Sequence, residues 1–288
     1  MKGSHVSTTR VVVVAYHGAD ALATCLGSVP PGLEITVVDN SSSDDVHRVA
    51  SARGASYVNP GRNLGFAAGV NLALRRFGRL PSHDVLLLNP DATLADGCLE
   101  KLFDFLHGTD GTNVGAVSPR LFDASGHEER VAWPFPSPGR AWAEAAGLGR
   151  RRSGGAFVIG AVLLLRGEAL ADVGLFDERF FLYAEETDWQ RRAYSRGWSS
   201  AVCATATATH QGAGTSTDPL RREALFHAAH ETYMRKWYGA GGWAAYRCAA
   251  CLGAAGRALL LKGDRRAAAA MRARIYLCGP RRFASLAN

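Results

Sequence analysis

His83-Asp84-Val85-Leu86-Leu87-Leu88-Asn89-Pro90-Asp91 is the stretch whose reading decides the fold. Four apolar residues in a row, bounded by polar ones, read as a short strand buried on both faces. Asn89-Pro90 stops it, because proline fixes φ and has no N–H for a sheet ladder. Asp91 is thereby held just past the carboxyl end of a central strand, where open α/β sheets bind their ligands. A carboxylate there is a candidate for holding a divalent cation against phosphates. It is equally a candidate for capping the helix that follows.

Working outward, Val11-Val12-Val13-Val14-Ala15-Tyr16 is a first buried strand, rich in β-branched residues. A helix is expected from Asp20 to Ser28, and a second strand over Ile35-Thr36-Val37-Val38-Asp39. The polar cluster Asp39-Asn40-Ser41-Ser42-Ser43-Asp44 ends that strand and caps a helix from Asp45 to Arg53. Ser56-Tyr57-Val58 is a weak third strand, followed by a loop through Asn63 and Gly65 and a helix from Ala67 to Phe77. After the opening strand come a helix from about Asp96 to His107 and a strand from Val114 to Ser118. Strands alternating with helices of this length argue for an α/β fold, mostly parallel, with right-handed crossovers. Tyr16, Asp39, Asn63 and Asp91 would then gather at one edge of the sheet.

Residues 119–155 break the alternation. They contain Trp133-Pro134-Phe135-Pro136-Ser137-Pro138-Gly139 and Arg150-Arg151-Arg152-Ser153-Gly154-Gly155, and read as a long, partly mobile connection over the ligand side. Ala156 to Leu165 reads as one more buried strand, with Gly160 allowing close backbone approach. The aromatic-rich segment Gly174 to Tyr183 feeds a helix that starts at Glu185-Glu186-Thr187-Asp188 and runs to about Arg196. Trp198 to Cys203 is a last strand, and a Thr/Ala-rich segment leads to His210-Gln211-Gly212-Ala213-Gly214-Thr215-Ser216. Helices at about 220–238, 243–261 and 265–277 finish the chain.

The 288 residues are 47% hydrophobic and 20% charged, the balance of a soluble globular protein. No uninterrupted apolar run reaches the roughly 18 residues needed to cross a bilayer. Met1 to Arg10 lacks the apolar core of a signal peptide, so a cytoplasmic location is expected. Cys25, Cys98 and Cys203 sit singly among apolar neighbours, as reduced core residues do. Cys248-Ala-Ala-Cys251 has redox or zinc spacing, but no second pair or nearby histidine completes a site.

The net charge of +7 is unevenly spread. From Arg235 to Asn288 eleven Lys/Arg face one acid, Asp264, while the preceding residues hold 22 basic and 25 acidic groups. The basic tail therefore points to an anionic surface. Basic residues flanking apolar helices fit a peripheral lie on an anionic leaflet; a helical lid with a solvated basic face is the competing reading. A nucleic-acid partner is not expected, because the basic residues avoid the sheet and no stacking-aromatic motif accompanies them.

Three acids at a helix start are what the positive end of the dipole favours. Glu185, Glu186 and Asp188 also follow a tight aromatic segment, and burial beside like charge raises a carboxylate's pKa and makes it a better general base. His210 is either a structural histidine or a metal ligand on a loop after a buried strand. A dinucleotide dehydrogenase is excluded, since the first turn, Ala15-Tyr16-His17-Gly18, lacks Gly-x-Gly-x-x-Gly. The P-loop is absent too. A phosphate site would have to use a metal and side chains.

At this point the motifs carry a resemblance. Val11 to His17, Val37-Val38-Asp39-Asn40-Ser41-Ser42-Ser43-Asp44, Asn63-Leu64-Gly65-Phe66-Ala67-Ala68-Gly69 and Leu86-Leu87-Leu88-Asn89-Pro90-Asp91 resemble family 2 glycosyltransferases, closest to their bacterial rhamnosyltransferase-like branch. Phe176 to Asp188 and Thr209 to Ser216 continue it, in the right order, so that it covers about residues 10–238. The resemblance implies a GT-A (Rossmann-like) fold over residues 1–238, with a basic helical extension over 239–288. It implies an inverting hexosyltransferase working from a dTDP- or UDP-sugar, L-rhamnose foremost, onto a hydroxyl of a glycan or polyprenyl-linked precursor of the cell envelope. Alternatives are a hexose, N-acetylhexosamine or galactofuranose donor, a secondary-metabolite acceptor, or a sugar-nucleotide-binding module without catalysis.

By the same resemblance, Tyr16, Asp39 and Asn63, with Gly65 and Asn89, would hold the nucleotide side of the donor. Gly160 and Ala161 would face its sugar. Asp91 and His210 would bind Mg2+ or Mn2+. Glu186 would be the catalytic base, in place of the family's usual Asp, with Glu185 and Asp188 as alternatives.

Overall fold

A computed structural model describes residues 9–78, 83–149, 157–212 and 218–286. The readings given above for residues 1–8, 150–156 and 213–216 lie outside the described residues. The chain divides into two compact units, residues 1–134, 155–181 and 185–217 in one and residues 135–154, 182–184 and 218–288 in the other.

The first unit is a mixed sheet between two helical layers. Its strands are β1 (Arg10–Ala15), β2 (Glu34–Asp39), β3 (Ser56–Val58), β4 (Val85–Leu88), β5 (Ala92–Leu94), β6 (Val114–Phe122), β7 (Glu128–Glu129), β10 (Val162–Leu165) and β11 (Ser199–His210). The order is β3-β2-β1-β4-β10-β6-β11-β5, with β7 on β6. Strands β3, β2, β1 and β4 run parallel, as the βα alternation implies. β10 then enters antiparallel to both β4 and β6, which makes the sheet mixed.

Strand alternation fills both faces. Val11, Val13, Leu86 and Leu88 pack on one side with α1 (Ala19–Gly27), α2 (Asp44–Ala52) and α4 (Cys98–His107). Val12, Val14, Val85 and Leu87 pack on the other with α3 (Phe66–Arg76), α6 (Gly167–Val173) and α7 (Glu185–Tyr194). Each such buried side chain contributes about 1.5–3 kcal/mol. At the far edge, Asp84 accepts from Gly167 N at 2.9 Å and meets His107 Nε2 at 2.6 Å, so this carboxylate is a fixture of the framework.

Four expectations are corrected. The stretch over 119–155 is not all connection: β6 continues to Phe122, and β7, β8 (Ala132–Trp133) and α5 (Pro138–Ala145) follow. The single strand expected over 156–165 is two, β9 (Phe157–Val158) pairing with β8, and β10, with Gly160 between them. β5 separates Asp91 from α4, so Asp91 does not cap that helix. Finally, the strand after Trp198 does not stop at Cys203; β11 passes an irregularity between Cys203 and Thr207 and carries His210 as its last residue. Short threonine and alanine side chains hid that continuation.

The second unit is helical, with α5, α8 (Pro219–Leu260), α9 (Gly263–Cys278) and α10 (Pro280–Leu286). It takes in the first half of α8 as well as residues 239–288. Gly239, at φ 66° and ψ −167°, interrupts α8 at the boundary between the two helices expected there. Inside the unit, Tyr276 OH lies 2.8 Å from His227 Nδ1, and His227 Nε2 lies 3.2 Å from Glu223. Arg272 closes the row on Glu223 at 2.8 Å. The hydrogen bond from His227, then that from Arg272, holds the Glu223 carboxyl down to about 2. The six cysteines are free thiols, Cys248 and Cys251 included.

Candidate active site

The carboxyl ends of β1, β2 and β4 lie in register along one sheet edge. Two groups of side chains form there.

The first group surrounds Asp39. Its Oδ1 accepts from Ser41 N at 2.8 Å and from Ser41 Oγ at 2.6 Å. Its Oδ2 accepts from Ser43 N and Tyr57 OH, each at 2.8 Å. A carboxylate has about four acceptor sites, and here all are met inside the chain. Loss of hydration, and then the bond to Asp39, pushes the Tyr57 phenol up to about 12. Asn40 next to it donates to Gly65 O at 3.0 Å and accepts from Leu64 N at 3.3 Å. Asn63 accepts from Gly65 N at 2.9 Å. Gly65 has φ 80°, and a Cβ there would overlap the Phe181 carbonyl, which accepts from Phe66 N at 2.7 Å. Only glycine fits that approach. Tyr16 is half-buried beside this group, edge-on to His17 with ring centroids 4.6 Å apart.

The second group is a continuous row of contacts. Asn89 N donates to Ala161 O at 2.9 Å, and Ala92 N donates to Asn89 O at 3.0 Å, which closes the turn that presents Asp91. The pairing of Ala92 with His210 sets the histidine beside that turn. Asp91 Oδ1 is 3.5 Å from His210 Nε2, and Gln211 N donates to Asp91 O at 3.1 Å. His210 Nδ1 faces Glu129 Oε2 at 3.3 Å. Burial alone would lower the His210 pKa, but Asp91 and then Glu129 outweigh it and the net shift is upward.

On the other side of Ala161, a Cβ built on Gly160 would lie 3.4 Å from Glu186 Cγ. Gln190 ties this region down, accepting from Val158 N at 2.8 Å and donating to Val158 O at 2.7 Å and Glu186 O at 3.1 Å. The three acids at the start of α7 have distinct surroundings. Asp188 is fully buried and paired with Arg192 at 3.0 Å. Glu185 is buried, and its Oε2 has no hydrogen-bond partner among the described residues. Burial, then the charge of Glu186, lifts its pKa well above the usual carboxylate range. Glu186 is half-buried, and loss of hydration raises its pKa as well. Tyr183 and Ala184, immediately before them, hold left-handed φ values of 71° and 64°, a strained backbone costing about 1–2 kcal/mol per residue.

The structure thus brings Asn89, Asp91, Gly160, Ala161, Glu186 and His210 into one row of contacts, and Tyr16, Asp39, Asn63 and Gly65 into a second group on the same edge. Sequence reasoning missed Glu129, which lies on a two-residue strand inside what reads as a connection, and Gln190, whose role depends on a strand pairing with no local signal.

Residues 10–173, more than half of the chain, match the model of Glycosyl transferase family 2. The chain belongs to that family. Its chemistry is glycosyl transfer, and its fold is GT-A. This glycosyltransferase is 28% identical over 257 residues to the N-acetylglucosaminyl-diphospho-decaprenol L-rhamnosyltransferase of Mycobacterium tuberculosis, 78% of this chain and 82% of that one. It is 26% identical over 222 residues to the galactofuranosyltransferase GlfT1 of Mycolicibacterium smegmatis, 72% of each chain. Among solved structures, the mannosyltransferase PcManGT from Pyrobaculum calidifontis, in complex with GDP-Man and Mn2+, superposes with a TM-score of 0.59. That likeness, at 18% identity over 98% of this chain and 86% of that one, is one of fold.

The fold's implied cation can be tested against the donor set. Asp91 and His210 offer a carboxylate oxygen and an imidazole nitrogen 3.5 Å apart, a pair that suits Mn2+ and tolerates Mg2+. Glu129 holds the other imidazole nitrogen, as carboxylates commonly do for a metal-bound histidine. The residues fit. No group of three or more His, Cys, Asp or Glu converges on one point among the described residues, so the chain would supply only part of a coordination shell.

Proposed function

We propose that this glycosyltransferase is an inverting, cation-dependent enzyme that moves L-rhamnose from a dTDP-sugar to a hydroxyl of a glycan or polyprenyl-linked glycan precursor of the cell envelope. The row from Glu186 through Gly160, Ala161, Asn89 and Asp91 to His210 is the observation that carries the catalytic reading. The Mycobacterium tuberculosis relative, named for rhamnosyl transfer to a diphospho-decaprenol, supports the donor and acceptor. The GlfT1 relative favours a UDP-galactofuranose donor as the second reading.

In this mechanism Asp91 and His210 would hold a divalent cation, which would supply positive charge against the nucleoside diphosphate leaving group. The turn organised by Asp39, together with Tyr16, Asn63 and Gly65, receives the nucleotide. The glycine at 160 leaves room for the donor sugar beside Glu186. Glu186 takes the proton of the acceptor hydroxyl as that oxygen bonds to the anomeric carbon. The bond to the diphosphate breaks on the opposite face with its electron pair, and the configuration inverts. Glu186 is preferred as base because it alone of the three acids is part-exposed and outside an ion pair. Its raised pKa makes it a stronger base once ionised, so transfer should fall as pH drops through a value above the usual glutamate range.

No helix among the described residues is long and apolar enough to cross a membrane. We place the reaction at the cytoplasmic face, with the basic C-terminus in peripheral contact with an anionic leaflet. Calorimetry with dTDP-rhamnose and UDP-galactofuranose, with and without Mn2+, tests the donor and the cation together. Tight binding of dTDP-rhamnose only with Mn2+, lost in Asp91→Ala, is the expected result. Equal binding with and without Mn2+ would overturn the cation's role.

A further inference from the structure

The helical unit consumes most of its own apolar surface. Trp243, Ala249 and Ala254 of α8 and Ala273, Ile275 and Tyr276 of α9 are all buried. Arg247 donates to the carbonyls of Tyr276 and Leu277, and Cys251 meets Ala273 O, so α8 and α9 run antiparallel. α8 keeps one narrow exposed stripe, Ala244, Cys248, Leu252, Ala255 and Leu259, whose large side chains lie toward its C-terminal end. The most exposed leucines gather at the tip that α8 shares with α9. Leu259 and Leu260, the last residues of α8, are each 84% exposed. Leu252, seven residues earlier and therefore on the same stripe as Leu259, is 60% exposed.

The charges separate in the same way. Arg235 is paired with Glu231, and Arg272 with Glu223. Arg257, Lys262, Arg265 and Arg266 are exposed, flank the leucine pair within seven residues along the chain, and make no ion pair among the described residues. Asp264 is the single acid there. Adjacent leucines at a helix end, flanked along the chain by unpaired cations, match the boundary between lipid headgroups and acyl chains. A nucleic acid would use the cations and leave the leucines in water.

We propose that the α8–α9 tip, residues 257–266, is a membrane wedge, with Leu259 and Leu260 entering the headgroup–acyl boundary of an anionic bilayer and the four basic side chains on its phosphates. This rests on the peripheral-membrane reading above and narrows it to one turn of chain. The test is flotation of the full chain with phosphatidylcholine vesicles, with and without phosphatidylglycerol. The wild type should float only with the anionic vesicles and should release with added salt. Leu259→Ser/Leu260→Ser and Arg265→Glu/Arg266→Glu should each bind about ten-fold more weakly or worse, with unchanged circular dichroism. Arg281→Glu/Arg282→Glu, in α10, should bind as the wild type does. No flotation of the wild type would overturn the membrane reading itself. Flotation of the leucine variant equal to the wild type would overturn the wedge alone, because the contact would then be purely electrostatic. Loss in the α10 variant as large as in the tip variants would also overturn it.

Discussion

Asp39 and Glu185 are both carboxylates closed off from solvent, 0% and 5% exposed, and the chain treats them in opposite ways. Asp39 receives four hydrogen bonds from a turn and a tyrosine. Glu185 keeps one oxygen with no partner among the described residues, next to a second glutamate. Burial of a charge is tolerated when donors replace water, and otherwise shifts the pKa until the group holds its proton. Asp39 is therefore a pin for the Ser41–Ser43 turn. The Glu185–Glu186 pair is where the chain concentrates proton affinity, and Glu186, the more exposed of the two, can deliver it to an acceptor.

The largest stability effect should come from the saturated carboxylate. Asp39→Ala leaves two backbone N–H groups and the Ser41 and Tyr57 hydroxyls without their acceptor, a cost of about 3 kcal/mol or more. Thermal melting should show a drop of several degrees, and an unchanged midpoint would mean that the turn does not depend on Asp39. Next, Glu129→Ala removes the group facing His210 Nδ1, and Mn2+ affinity should fall by about 10- to 100-fold in an electron-paramagnetic-resonance titration. Glu129→Gln, which keeps an acceptor, should lose less; equal loss in both would mean that charge and not orientation matters.

The smallest effect has the opposite sign. Because the folded-state pKa of Glu185 is raised, the native protein binds that proton more tightly than the unfolded chain. Its contribution is fully present below the unfolded value, about 4.3, and is lost as pH rises toward the folded one. Glu185→Gln should therefore be more stable than the wild type at neutral pH, by about 1–2 kcal/mol, with the gain vanishing at pH 4 and below. A destabilised variant at neutral pH would show that Glu185 is ionised and satisfied.

Much of this edge was legible in the chain because its signals are local. The buried run before Asn89-Pro90-Asp91, the β-branched run before Tyr16 and the serine cluster after Asp39 each mark a strand end within a few residues. Pairing across long separations was not legible. β10 inserts between β4 and β6 against the βα alternation, and nothing in Val162–Leu165 distinguishes an antiparallel central strand from a parallel one. Glu129 meets His210 across 81 residues through the short pairing of β7 with β6 and the parallel pairing of β6 with β11, so neither residue announces the other. His210 itself read as a loop residue because β11 ends in small side chains. The exposure of Leu259 and Leu260 depended on how α8 and α9 pair, which periodicity alone does not give.

Glu186 as the base that deprotonates the acceptor is the central claim. Its most direct test is the transfer rate of Glu186→Gln at saturating nucleotide sugar and Mn2+, with donor affinity measured on the same preparation. The predicted result is a rate lower by about 10²- to 10⁴-fold with donor affinity nearly unchanged. A variant that keeps substantial transfer would contradict the assignment and move the base to another group.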